Sequence, residues 1–141
     1  MNTESVELSS SFELECDLLD QDHKRLVDMV NEIVKEIDAG NAGACKELVP
    51  AFIDLAKSHF DREEAFLIKI GYPDVDQHHD HHHSLDEKMD HMLAFAETAA
   101  DNELARESLK KELVFFVMDD VITADMDFKN FIKEKAKTED I

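Results

Sequence analysis

Residues 59–73 read HFDREEAFLIKIGYP, and they combine a helical pattern with two polar side chains on its apolar side. One face of this predicted helix carries His59, Glu63, Phe66 and Ile70, and the GYP sequence ends the pattern. Because His59 and Glu63 are four residues apart, both side chains lie on one helix face and reach one cation. The stretch therefore predicts a helix that carries two metal-capable side chains toward a core.

Three further segments show the same periodicity, and short connections separate them. The four predicted helices run over about 17–39, 44–70, 74 or 76 to 99, and 103–132. Four amphipathic helices with short connections predict an all-α, antiparallel up-down four-helix bundle with a metal site in its core. We expect residues 1–16 to form a polar lead-in and residues 17–141 to form one domain.

The composition excludes several classes of partner. The 141 residues include 34 acidic and 15 basic side chains, which gives a formal net charge of −19. Such a chain repels nucleic-acid phosphates and anionic lipid, so we expect cations as partners and neither nucleic acid nor membrane. The longest apolar run is about six residues and the acidic start lacks a secretion signal, which predicts a cytoplasmic location. Cys16 and Cys45 show no metal-binding spacing and are expected to stay reduced.

Each predicted helix places a metal-capable side chain within its own apolar stripe. The candidate ligands are His23, His59, Glu63, His78, His82, Asp120 and Asp125. Burying a carboxylate without compensation costs several kcal/mol, so three of them would offset the whole stability of a typical domain, about 5–15 kcal/mol. Something cationic must therefore lie among them. Seven mixed nitrogen and oxygen ligands are too many for one tetrahedral ion, and they favour two bridged ions.

Residues 77–84 read QHHDHHHS and contain five of the eight histidines. His78 and His82 are four residues apart and face the core with the apolar stripe of their helix. His79 and His83 fall on the opposite, polar face, where we expect solvated side chains. His81 lies at the boundary, where it could support or replace a ligand.

Three segments together carry a resemblance to a known family. With LLDQDHKRL at 18–26, HFDREEAFLIKIGYP at 59–73 and HHDHH at 78–82, the chain resembles hemerythrin, specifically the bacterial single-domain kind. The resemblance covers roughly residues 17–132. In that family a four-helix bundle holds two irons through five histidines, a bridging Glu and a bridging Asp, and dioxygen binds reversibly at one iron.

The resemblance also implies a role for each matching residue. His23 and His59 would hold the oxygen-binding iron, and His78 and His82 would hold the other. Glu63 and Asp125 would bridge the two irons, together with an oxo or hydroxo bridge. The implied apolar oxygen pocket is lined by Leu26, Phe60, Val117 and Val121.

The last predicted helix departs from the family pattern. It reads FVMDDVITAD at 116–125, so that Phe116 replaces the family's Trp and Asp120 stands where the fifth histidine should be. Three arrangements are open: Asp120 binds its iron directly, binds it through a water, or leaves it with one ligand fewer. Direct binding would add negative charge, favour the ferric state and accelerate autoxidation.

The resemblance implies a non-haem di-iron protein that binds dioxygen or another small diatomic ligand as a carrier, a store or a sensor. Two alternatives stay open. One is a di-iron enzyme of the oxidase or peroxidase type, since an open iron beside a bridged partner can also activate its ligand. The other is an iron-binding or iron-sensing module whose stability depends on the metal. The sequence shows no dedicated proton donor, which favours binding over catalysis.

Overall fold

The computed structural model describes Leu14 and residues 17–138, with side chains described as far as residue 134. Apart from Leu14, the predicted lead-in of residues 1–16 lies outside the described residues. The helices are α1 (Asp17–Asp38), α2 (Cys45–Ile70), α3 (Val75–Ser84), α4 (Asp86–Thr98), α5 (Glu103–Phe115) and α6 (Lys129–Thr138). A π-helical segment, Phe116–Thr123, and a 3-10 turn, Met126–Phe128, lie between α5 and α6.

These elements form the four rods of a bundle: α1, α2, α3 continued by α4, and α5 continued through the π-helical segment to α6. The described residues contain no β-strand, and α1 packs on α2, α2 on α4, and α4 on α5. The prediction of an all-α four-helix bundle is therefore confirmed. None of the helices within residues 17–138 combines the length and apolar character needed to cross a membrane.

Local sequence explains where the rods begin and end. Gly71 stops α2 in the left-handed conformation, with φ of 76°, and Tyr72 N–H donates to the Leu67 carbonyl at 2.9 Å. Asn102 begins α5, because its side-chain oxygen accepts from Ala105 N–H at 3.1 Å. Leu85 interrupts the third rod, where its N–H donates to the His82 carbonyl at 3.1 Å.

The π-helical segment is the main departure from the predicted helices. Thr123 Oγ1 donates to the Met118 carbonyl five residues earlier, at 2.7 Å. A π-helical turn holds an extra residue and rotates the side chains that follow it. As a result Asp125, predicted at the flank of the apolar stripe, is buried, whereas Asp120, predicted within the stripe, is only partly buried.

Two apolar clusters fill the bundle. The larger contains Phe52, Ala56, Phe60, Leu113 and Phe116 among its buried members. The smaller lies toward the end of α2 and consists of Leu14, Leu19, Leu67, Ile70, Phe128 and Ile132. Along α2, Glu63 falls between the residues of the two clusters, and His59 precedes Phe60, the last α2 residue of the larger one. A buried polar layer therefore separates the two apolar regions. Cys45, a free thiol, is buried in the larger cluster, and Cys16 lies outside the described residues.

Candidate metal centre

Six of the seven predicted ligands meet in the polar layer, and all six are buried. Their donor atoms form two groups, each spanning no more than 4.8 Å. One group contains His23 and His59, and the other contains His78 and His82. Glu63 and Asp125 belong to both groups. The arrangement is thus two pairs of imidazoles that share two carboxylates.

The Glu63 carboxylate turns one oxygen to each histidine pair. Its Oε2 lies 3.0 Å from His59 Nε2. Its Oε1 lies 2.5 Å from His78 Nε2 and 3.0 Å from His82 Nε2.

Asp125 divides its oxygens in the same way. Its Oδ2 lies 2.7 Å from His23 Nε2 and 3.3 Å from His59 Nε2, whereas its Oδ1 lies 3.1 Å from His78 Nε2. A carboxylate that presents its two oxygens to two separate donor groups has the orientation needed to bridge two cations.

The donor chemistry and the hydrogen bonding both fit metal ions. Imidazole nitrogens with carboxylate oxygens suit iron, manganese or zinc. Glu63 Oε2 is buried and faces His59 Nε2 at 3.0 Å, but the described groups give it no hydrogen bond of good geometry. An unsatisfied buried oxygen costs about 1–3 kcal/mol, more when charged, and a bound cation would remove that cost. The residues therefore fit a pair of metal ions.

A hydrogen-bonded clamp orients His59. Its Nδ1–H donates to Asp22 Oδ2 at 3.0 Å, which leaves Nε2 facing the shared carboxylates. The guanidinium of Arg62 donates two hydrogen bonds, of 2.9 and 2.8 Å, to the same carboxylate. Although burial opposes its charge, hydrogen bonds from His59 and Arg62 lower the pKa of Asp22 to about 2. Asp22 thus stays ionised and fixes the ring of His59.

A second carboxylate orients His82. Glu64 Oε2 accepts from His82 Nδ1–H at 3.0 Å, and Glu64 Oε1 accepts from His79 Nδ1–H. Burial opposes the charge of Glu64, but the two histidines lower its pKa. His79 is exposed, as predicted for the polar face, and its position also supports a ligand through Glu64.

Sequence reasoning missed Asp22, Arg62 and Glu64. The available signal was weak: Asp22 precedes a ligand, and Arg62 and Glu64 flank one. Among 34 acidic residues, adjacency alone does not distinguish these two carboxylates from solvated ones. Because Asp22 supports a histidine on another helix, only the packing of α1 on α2 reveals its role.

Asp120 is not brought into either group. Its Oδ2 lies 2.7 Å from Lys88 Nζ, and its carbonyl oxygen accepts from His81 Nε2–H at 2.8 Å. The physical reason is the π-helical segment, which contains Asp120, together with the lysine of α4 that neutralises its charge. His83 is strongly exposed and pairs with Asp86 at 3.0 Å.

The residues predicted to line an oxygen pocket are all buried in the larger apolar cluster: Leu26, Phe60, Val117 and Val121. Phe60 also touches the polar layer. Its ring stacks on His82 with centroids 4.1 Å apart and lies 5.9 Å from the His59 centroid. One wall of the polar layer is therefore aromatic.

Without metal, protons take the place of cations in this layer. Burial opposes charge on His59, but hydrogen bonds with the three surrounding carboxylates raise its pKa well above the usual value. Burial likewise opposes charge on His78, yet Asp125 and Glu63 raise its pKa to about 10. Asp125 is fully enclosed, which alone would raise its pKa, but its hydrogen bonds hold that pKa well below the usual range. Metal binding must therefore displace protons from the histidines.

Because protons and metal ions compete for the histidines, the stability of the metal-free chain and the affinity for metal should change in opposite directions with pH. The folded pKa of His78 is raised from 6.5 to about 10, so its contribution to stability is full below pH 6.5 and is lost as pH rises toward 10. The melting temperature of the chelator-treated chain should fall over that interval, while metal affinity should rise. Thermal melts and metal titrations across the interval measure both, with His78→Gln as the variant that flattens the metal-free curve. A metal-free melting temperature that rises with pH would contradict the assignment.

Comparison with known proteins agrees with this geometry. The family model described as hemerythrin HHE cation binding domain matches residues 16–129. A bacteriohemerythrin of Stenotrophomonas maltophilia is 32% identical over 57 residues, which cover 40% of this chain and 37% of that protein. A bacteriohemerythrin of Methylococcus capsulatus is 35% identical over 66 residues, covering 47% of this chain and 50% of that protein. The aligned stretches thus span half or less of these curated relatives. The match over residues 16–129 shows that the chain belongs to the hemerythrin family.

Proposed function

We propose that this protein holds two non-haem irons and binds dioxygen, or another small diatomic ligand, reversibly. The observation that carries the proposal is the shared use of Glu63 and Asp125, each of which presents one oxygen to each histidine pair. In this proposal His23 and His59 hold one iron, and His78 and His82 hold the other. The two carboxylates bridge the irons together with an oxo or hydroxo bridge. Family membership and the names of the two relatives support this reading.

Bound as a ferrous pair, the irons supply the electrons that reversible oxygen binding needs. The chain supplies the surroundings. Leu26, Phe60, Val117 and Val121 are buried and carry no acidic proton, so a ligand beside them meets an apolar wall. Such a wall excludes water and offers no proton to a bound ligand. These properties support storage, transport or sensing over oxidative catalysis.

An air-cycled absorption spectrum tests the proposal. The iron-loaded chain should contain two irons, gain a charge-transfer band in air and lose it under argon through repeated cycles. His82→Ala should abolish the band, whereas His83→Ala, which removes an exposed histidine of the same stretch, should leave it unchanged. A band that appears in air but never reverses would contradict reversible binding. Rapid consumption of added hydrogen peroxide would instead favour the enzyme alternative, and metal-dependent melting without any band would favour the iron-binding module.

A further inference from the structure

A surface cavity borders the polar layer at His78. It has a volume of about 220 Å³ and lies beside α3 and the chain between the π-helical segment and α6. Its lining includes Tyr72, Gln77, His78, His81, Ala124 and Asp127. His78 is the only one of these residues that belongs to a metal-binding group. The cavity therefore borders the group of His78 and His82 through His78, and its lining includes neither His23 nor His59.

The group at the cavity has four donors from the chain. His78 and His82 each offer a nitrogen, and Glu63 and Asp125 each offer one oxygen. The other group has the same composition, two imidazoles and two shared carboxylates. A non-haem iron with so few protein ligands keeps positions for outside ligands. The described residues therefore offer the same set of donor atoms at both metal positions.

Among the residues that the structure describes, no fifth side chain joins the group at the cavity. Asp120 is held by Lys88 Nζ at 2.7 Å, and its carbonyl oxygen is occupied by His81 Nε2–H at 2.8 Å. His81 is thereby tied to the backbone of the fourth rod. Neither side chain is free to move to the metal without breaking a short hydrogen bond.

We infer that the metal position of His78 and His82 has a second ligand-binding place of its own, which takes a small neutral molecule arriving through this cavity. The inference rests on the proposed function, since it requires an iron at each position. The ligand is neutral for two reasons. The exposed carboxylates of Asp74 and Asp127 line the cavity and the chain has a net charge of −19, so anions are repelled, and the metal ion itself repels cationic ligands. Water fills such a place by default, and a molecule such as nitric oxide displaces it.

Nitric oxide is a neutral probe that counts open ferrous positions. In the anaerobic, iron-loaded chain we expect two nitric oxide molecules per chain and two N–O stretching bands in the infrared spectrum, both shifted by ¹⁵NO. Asp120→His removes the pairing with Lys88 and offers a longer nitrogen donor, which should bind this metal and leave one molecule and one band. Asp119→His is the matched control: it makes the same change on the exposed neighbouring residue and should keep two.

Iron content measured on the same samples distinguishes a failure of this inference from a failure of the proposed function. Two irons with a single nitric oxide in the native chain would overturn the inference and leave the proposed function standing. Fewer than two irons in the native chain and in both variants would overturn the proposed function. Gln77→Trp places a bulky side chain over the cavity and should slow uptake of one nitric oxide several-fold, with the other unchanged. Equal rates in Gln77→Trp and the native chain would exclude this cavity as the route.

Discussion

Removal of metal should lower the melting temperature of this protein by roughly 15 °C. If the two proposed sites are each filled at about one hundred times the dissociation constant, together they stabilise the fold by about 5 kcal/mol. For a domain of this size each kcal/mol corresponds to about 3 °C. The reason is the polar layer, in which Glu63 and Asp125 are buried among four histidines. Thermal melts monitored by circular dichroism, before and after exhaustive chelation, measure the difference.

The control for this experiment removes the shared charges themselves. Glu63→Gln combined with Asp125→Asn removes both carboxylates that the two donor groups share, so chelation should leave the melting temperature of that variant unchanged. A native chain that is equally stable and fully folded after chelation would show that cations do not hold the layer together.

The second large effect is expected for Asp125→Asn, which should reduce the bound metal from two ions per chain to one or none. The Asp125 carboxylate lies within 3.3 Å of His23 and His59 and within 3.1 Å of His78. An asparagine keeps one oxygen but replaces the other with an amide NH₂ group, which cannot bind a cation. Mutation of a residue that only orients a metal ligand typically lowers metal affinity 10–100-fold. For a carboxylate shared by both donor groups we therefore expect a loss of affinity of about 100-fold or more. Metal analysis and competitive titration measure the loss.

Asp127→Asn is the matched control for that variant. It removes one negative charge two residues away, from an exposed side chain outside both metal-binding groups. The control should retain both ions. If both variants lost metal equally, general electrostatic attraction to an acidic chain would explain the affinity better than a built bridge.

Much of the fold could be predicted because periodicity and end signals agreed. In α1 and α2 the apolar stripe, the glycines and the short connections all indicated the same helices. The i, i+4 spacing of His59 with Glu63, and of His78 with His82, placed these side chains on one face, and the structure brings each pair together. Such pairs are visible in sequence because each depends on one regular helix.

The fourth rod could not be predicted in the same way. The prediction assumed a regular helix, whereas Phe116–Thr123 is π-helical, and no periodic pattern marks where the extra residue enters. The orientation of the Asp120 side chain depends on its pairing with Lys88, which lies 32 positions earlier on another helix. The clamp on His59 by Asp22 depends in the same way on contact between helices. Sequence spacing carries information along one helix and little about partners across the bundle.

The polar layer between the two apolar clusters also bears on how the protein unfolds. With metal bound, we expect the larger cluster around Phe52 and the smaller one around Phe128 to lose structure as one cooperative unit. After metal removal, when only protonated histidines face Glu63 and Asp125, we expect the smaller cluster to open separately, because it contains few buried residues. The exchange rates of backbone amides in and near the smaller cluster should then depend on whether metal is bound. Hydrogen exchange would therefore report metal occupancy without any spectroscopic signal from the iron.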